Sequence, residues 1–233
     1  TQRYTLSLHD ALPISRRFRV ADTLGVLDPF TTHALVACLR AATDLEIEIH
    51  AHDDLGLATA NTLAALRAGA SHASVTVVGL GERAGNAPLE EFAVALEQLY
   101  GTATGVDLAR LRDVARTVAA AAGRRIPEAK AIVGEHVFTH ESGIHVDGLF
   151  KDRRTYQALD PARLGRSHRI VLGKHSGAAA VRAALQSQGL SVDAKELAHL
   201  LHLLREHATR VKAPISPSML AELWRVMRAV LPS

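Results

Sequence analysis

IEIHAHDDLG, residues 47–56, ends an apolar run with two histidines one residue apart and follows them directly with two aspartates. In an extended strand, residues two apart face the same side, so His50 and His52 can offer both imidazoles to one point if strand geometry persists to position 52. That suits a metal pair. It also suits two strand-end histidines bonded to backbone or water, and an isolated H-x-H does not choose between them. The flanking residues decide the fold. Upstream, "FRVAD" (18–22) reads as a short buried strand, and Asp28 caps a helix that has Pro29 at its first position and runs through "FTTHALVACLRAA". "LEIEIH" (45–50) is the next strand and "ATANTLAALRAG" the next helix, closed by Gly69. "ASVTVV" (73–78) then leads to "PLEEFAVALEQLYG", again with proline near the start and glycine after the end. The strand ends, Asp22, His50 and Val78, are 28 residues apart both times, the length of a repeating βα unit. Parallel strands covered by helices are implied.

From Asp107 the pattern changes. A helix "LARLRDVARTVAAAAG" precedes a stretch rich in Gly, His and Arg over 123–176, and further helices are expected near 178–187, 192–210 and 217–230. The turn residues "GTATGV" (101–106) mark a boundary between a βα part (17–103) and a mostly helical part (104–233).

Bulk properties narrow the function. The 233 residues are 48% hydrophobic and 22% charged, which suits a folded chain with one large core or two small ones. Twenty-seven Lys and Arg against 24 Asp and Glu give a net charge of +3, scattered rather than gathered into a stripe, so no nucleic-acid partner is expected. The single Cys38 forms no internal disulfide, and no apolar run is long enough to cross a bilayer. A reducing, cytoplasmic setting with no membrane partner is the expectation.

Two more strand ends carry chemistry, because ligands in parallel α/β sheets gather at the carboxyl ends of strands. "ADTLG" puts Thr23 after the first strand, a hydroxyl suited to a substrate carboxylate or simply to a turn. "VGLGERAGN" (78–86) follows the third: Gly79, Gly81 and Gly85 permit close backbone approach to a ligand, and Asn86 offers an amide oxygen near a metal. The spacing G-x-G-x-x-x-G, with no acid at the end of a following strand, does not match a dinucleotide fingerprint. Among the loop histidines, His140, His145 and His175 are candidates for chemistry or for capping nearby carbonyls.

"IHAHDDLG", "GLGERAGNAPLE", "FTHESGIHVDG" and "LGKHSG", in this order, resemble the homocitrate and isopropylmalate synthase family, metal-dependent Claisen-condensing enzymes, most nearly its nitrogen-fixation branch. The resemblance covers residues 17–233 and implies an acyltransferase built on a TIM barrel that joins acetyl-CoA to a 2-oxo acid. It implies His50 and His52 as ligands of a divalent ion (Zn, Mn or Mg), with Asn86 at or near the metal. Thr23 would receive the acceptor carboxylate, and the loop of Gly79 and Gly81 would lie against substrate. His145 would be a catalytic histidine, Tyr156 its assistant, and a homodimer would exchange the helical subdomains that carry them. The acceptor implied is 2-oxoglutarate, giving homocitrate; 2-isopropylmalate or citramalate synthase are the neighbouring possibilities. A possibility of another class is a non-catalytic interaction module using the helices "AKELAHLLHLLREHATRVK" and "SPSMLAELWRVMRAVL".

A barrel needs eight strands, and three βα units precede the helical part. The resemblance makes them the sixth to eighth, a partial TIM barrel of the α/β class, with the acidic metal ligand and the catalytic arginine expected on strands outside this chain. Residues 1–16, TQRYTLSLHDALPISR, match nothing in the family and are expected to be a non-native leader on a truncated chain.

Overall fold

The computed structural model describes residues 15–152 and 155–230, and the chain divides into two compact units, residues 1–134 and 135–233. The leader expectation falls largely outside the described residues, as does the chain's last stretch.

In the first unit, β1 (Arg17–Asp22), β2 (Glu46–Ala51) and β3 (His72–Ser74) form a parallel sheet in the order β1-β2-β3. Ile47 and Ile49 are fully buried, Glu48 between them is buried as well, and Ala21 and Ser74 flank His50 in register. Helix α1 (Pro29–Ala42) starts where expected. Asp28 accepts from the backbone N–H groups of Phe30 and Thr31, satisfying donors that a helix start leaves unpaired. Helix α2 (Ala58–Arg67) packs on α1, and α3 (Leu89–Tyr100) ends at Gly101, whose φ of 64° is the left-handed stop expected of glycine. Val20, Val36, Ile47, Ile49, Ala58 and Ala65 make the core between sheet and helices.

One expectation needs correction. The third strand ends at Ser74, not Val78, so the even interval of strand ends is not kept. Val77–Gly79 form a tight turn in which Val78 takes φ 53°, a conformation β-branched residues avoid. What fixes it is tertiary: Glu90, buried at the start of α3, accepts the Val78 N–H through Oε2 at 3.0 Å. Helix α4 (Leu111–Ala121) contacts the Val77–Gly79 turn, and by compactness the first unit extends to residue 134.

Glu90 yields a test. Its Oε1 accepts no hydrogen bond and lies 3.9 Å from Lys130 Nζ, and burial pushes the carboxyl above the ordinary carboxylate range. The folded protein therefore keeps this proton to higher pH than the unfolded chain does. This contribution to stability declines as pH rises from the ordinary value through the raised one. Glu90→Gln, which keeps an acceptor for Val78, is expected to match the parent at acid pH and exceed it above that window. Urea midpoints measured against pH check this, and a variant less stable than the parent at pH 7 contradicts it.

In the second unit, β4 (Thr139–His140) pairs in parallel with β5 (Arg169–Ile170), and helices α5 (Gly143–Lys151), α6 (Ala178–Gln186), α7 (Ala194–Val211) and α8 (Pro217–Val230) supply the mass. Asp193 and Glu196 form a reciprocal capping box at the start of α7. Val146, Val181, Leu185, Leu200, Leu204, Leu220 and Met227 form its core. The apolar stripes of α7 and α8 thus pack mainly inside their own unit. No helix among the described residues is long and apolar enough to cross a membrane.

Candidate active site

The first unit gathers His50, His52 and Asn86 at the carboxyl end of its sheet. Strand geometry persists past β2: His52 forms an isolated bridge with Asn86, and the two imidazoles stand with centroids 5.0 Å apart and planes at 83°. His50 Nδ1 lies 3.2 Å from Ser74 Oγ; with Nδ1 donating there, Nε2 keeps its lone pair for a ligand. Burial, then the neighbouring His52, lowers the His50 pKa from the ordinary imidazole value and favours the neutral form that coordinates metals. Asn86 donates Nδ2 to the Leu80 carbonyl at 2.9 Å, which leaves Oδ1 as the free acceptor. That Oδ1 and His52 Nδ1 are buried without a hydrogen-bond partner. Orphaned buried polar atoms are costly and call for a partner.

The glycines explain how Asn86 is seated. A side-chain carbon at Gly81 would lie 2.4 Å from Asn86 Nδ2, and one at Gly85, whose φ is 94°, would lie 1.9 Å from the Gly79 carbonyl oxygen. The Gly79 oxygen accepts the Asn86 N–H at 3.1 Å. What lies against Gly79 and Gly81 is therefore the loop itself, folded tightly around the amide.

Both aspartates of the opening stretch have structural duties. Asp53 Oδ1 accepts the Ala58 N–H at the start of α2, and Asp54 is gripped by Arg83. The other nearby acids are also engaged: Asp22 accepts from the Val26 and Leu27 N–H groups, and Glu48 pairs with Arg17 and Arg19. Accordingly, no group of three or more His, Cys, Asp or Glu among the described residues can hold a metal. The donors present fit part of a divalent site, two imidazoles and an amide oxygen, and lack its acid. Thr23 is exposed on the loop after β1, and its carbonyl accepts from Arg83.

The second unit holds the other candidates. His145 is exposed on α5, its ring 4.4 Å from that of Tyr156 and tilted by 35°. Gly148, one turn along the same helix face, makes room: a side-chain carbon there would lie 2.5 Å from the Tyr156 ring. The strand residue His140 meets His168 at 3.0 Å (Nε2 to Nδ1), and His168 Nε2 lies 2.9 Å from Gln157 Oε1. Burial, then the neighbouring imidazoles of His168 and His145, lowers the His140 pKa. His175 joins the two glycine loops of this unit, its carbonyl accepting the Gly143 N–H and its own N–H donated to Glu141. Sequence reasoning did not single out Ser74, Arg83, Asp54, His168 or Gln157. Their partners lie 11 to 60 residues away, and no local spacing marks them.

Residues 14–118 match the HMGL-like family and residues 132–212 the family described as homocitrate synthase post-HMGL domain-like. The chain is 47% identical over 208 residues to 2-isopropylmalate synthase 2 of Caldanaerobacter subterraneus subsp. tengcongensis, covering 89% of this chain and 54% of that protein. It is 44% identical over 212 residues to homocitrate synthase 1 of Nostoc sp., covering 91% and 56%. To the homocitrate synthase of Frankia alni it is 53% identical over 173 residues, covering 74% and 49%. The chain thus spans about half the length of these relatives. In order along its length, it carries an HMGL-like segment followed by a homocitrate synthase post-HMGL-like segment.

Proposed function

We propose that this chain is the C-terminal part of a metal-dependent acyltransferase of the homocitrate and isopropylmalate synthase family, contributing strands six to eight of a TIM barrel and a helical subdomain. The observation that carries it is the pair of orphaned buried atoms, His52 Nδ1 and Asn86 Oδ1, on a shared bridge beside His50. The names of the relatives support the reaction class and leave the product open between homocitrate and 2-isopropylmalate. We take 2-oxoglutarate as the acceptor, with 2-isopropylmalate or citramalate synthase as the alternatives. The nitrogen-fixation branch, a cytoplasmic location and a homodimer that exchanges subdomains belong to the same proposal.

His50, His52 and Asn86 would hold Zn, Mn or Mg together with an acid from a preceding strand. When bound, the ion draws electron density from the carbonyl carbon of the 2-oxo acid. Thr23 binds the acceptor carboxylate, and the loop of Gly79 and Gly81 keeps Asn86 in place beside it. In the reaction the acetyl methyl carbon loses a proton and bonds to the carbonyl carbon, the oxygen formed gains a proton, and water cleaves the thioester to release CoA. His145 moves one of these protons, since an imidazole can both give and take a proton. Tyr156, stacked on the ring, orients it. Lys174 is a candidate for the CoA phosphates; Arg153 and Arg154, the other candidates, lie outside the described residues.

A protein in which this chain is preceded by the first five βα units is expected to release CoA thiol fastest with 2-oxoglutarate among 2-oxoglutarate, 2-oxoisovalerate and pyruvate. The 233-residue chain alone releases none. Faster turnover of 2-oxoisovalerate or pyruvate moves the product to 2-isopropylmalate or citramalate. No thiol release with any of the three overturns the proposal.

A further inference from the structure

Arg83 is a non-glycine residue at φ 54° whose guanidinium spans the loops after all three strands. From the third loop it grips Asp54 of the second at two points, Nε to Oδ1 at 2.9 Å and Nη2 to Oδ2 at 3.0 Å. Nη2 also donates to the Thr23 carbonyl of the first loop at 2.8 Å. Gly25 completes the arrangement: with φ 65°, it lets the first loop close onto Asp54, where an added side-chain carbon would lie 2.4 Å from Oδ2.

The three loops are not equally dependent on this arginine. The second and third are joined backbone to backbone, by the Asp53 N–H on the Gly85 carbonyl at 3.0 Å and by the His52–Asn86 bridge. The first is closed mostly on itself, through the Asp22 carboxylate and the N–H groups of Val26 and Leu27. Its links outward are Arg83 on Thr23 and Asn61 Nδ2 on the Leu27 carbonyl at 2.7 Å. Removing Arg83 therefore leaves the metal donors in their frame and loosens the loop that bears Thr23.

We propose that Arg83, oriented by Asp54, is a positioning residue that holds Thr23 against the metal-donor frame, so that acceptor binding depends on it and metal binding does not. The assignment deepens the proposed function and rests on Thr23 receiving the acceptor carboxylate. Lysine cannot replace it. A single ammonium lacks the planar fork that meets two carboxylate oxygens and a carbonyl at once. Charge-assisted bonds of this kind are each large enough to shift a local equilibrium by about tenfold or more.

Hydrogen exchange on the 233-residue chain tests the positioning without any activity. Arg83→Lys and Asp54→Asn are expected to speed exchange at Gly25, Val26 and Leu27 by about tenfold, while Asp53 and Ala87, whose N–H groups bond between the other strands and loops, stay within about twofold. Unchanged exchange at 25–27, or equal acceleration at every site, overturns the assignment. In the protein with the complete barrel, Arg83→Lys should raise KM for the 2-oxo acid by about tenfold, change kcat by a smaller factor and leave Mn2+ affinity within about threefold. A fall in Mn2+ affinity as large as the change in KM also overturns it. Absence of turnover in the parent protein overturns the proposed function, and the exchange result then still decides whether Arg83 positions the loop.

Discussion

Replacing His50 and His52 together with alanine is expected to abolish stoichiometric binding of a divalent metal by the protein that carries the complete barrel, and its condensing activity with it. The expectation follows from what holds each ring. The His50 ring is tied through Nδ1 to Ser74 and burial favours its neutral form, while the His52 backbone is fixed by its bridge to Asn86 and its ring leaves a buried nitrogen unsatisfied. The His50 ring and the His52 backbone are therefore set in place before any ion arrives, which lowers the ordering entropy spent on binding. Sharing a total binding energy of about 10–16 kcal/mol among four protein ligands assigns roughly 3 kcal/mol to each, so the double variant should bind about four orders of magnitude more weakly. Mn2+ titration followed by electron paramagnetic resonance reads this directly. The circular dichroism of the variant should match the parent, because neither ring belongs to the apolar core. Undiminished binding would mean that the two imidazoles are strand-end residues, and the proposal of a metal-dependent synthase would fall.

The parts of the fold that were legible are those whose cause is local. Asp28 with Pro29, the strand "LEIEIH" with its buried Ile47 and Ile49, and Gly101 after α3 each state their own conformation, and each is found. The third strand is shorter than its residues predict, for a physical reason. Val75, Thr76, Val77 and Val78 carry strong strand preference, but the backbone turns there because the Glu90 carboxylate, twelve residues on, takes the Val78 N–H. Strand preference is worth a few tenths of a kcal/mol per residue, less than the cost of stranding a buried carboxylate, so the distant group wins. The site divides in the same way. His50, His52 and Asn86 could be singled out because strand periodicity and glycine spacing point to them. Arg83 and Ser74 could not, since an arginine in a glycine-rich loop and a serine in a strand have no distinguishing pattern until the chain is folded.

The division of labour within the site also bears on specificity. Thr23 and the metal donors would recognise what all 2-oxo acids share, the carboxylate and its adjacent carbonyl. What distinguishes 2-oxoglutarate from a branched acceptor is the far end of the molecule, which these residues do not reach by their chemistry. That agrees with similar identities to synthases named for different products, 47% and 44% over nearly equal lengths.

Gly85→Ala is expected to be the most damaging single-methyl change in the first unit, and a comparison with Gly56→Ala shows why. Both glycines have positive φ, 94° and 70°, so alanine meets backbone strain at either position. At Gly56 the added carbon meets nothing within 4 Å, and the cost should be the strain alone, about 1 kcal/mol. At Gly85 the carbon would sit 1.9 Å from the Gly79 oxygen, a backbone atom that cannot rotate away. Relief requires parting residues 79 and 85, which breaks the Asn86 N–H to Gly79 bond and pulls the Gly85 carbonyl off the Asp53 N–H. Two buried hydrogen bonds and the strain together amount to roughly 4 kcal/mol. The loss is local before it is global, since the same two bonds seat Asn86 and tie the loop after β2. Urea unfolding followed by circular dichroism should therefore separate the variants by about 3 kcal/mol, and Gly85→Ala should also speed exchange at Asp53 and Asn86 while Gly56→Ala does not. Equal midpoints for the two would mean that the loop repacks around the methyl without cost. The tight cradle drawn by Gly79, Gly81 and Gly85 would then not be what holds the amide oxygen in place.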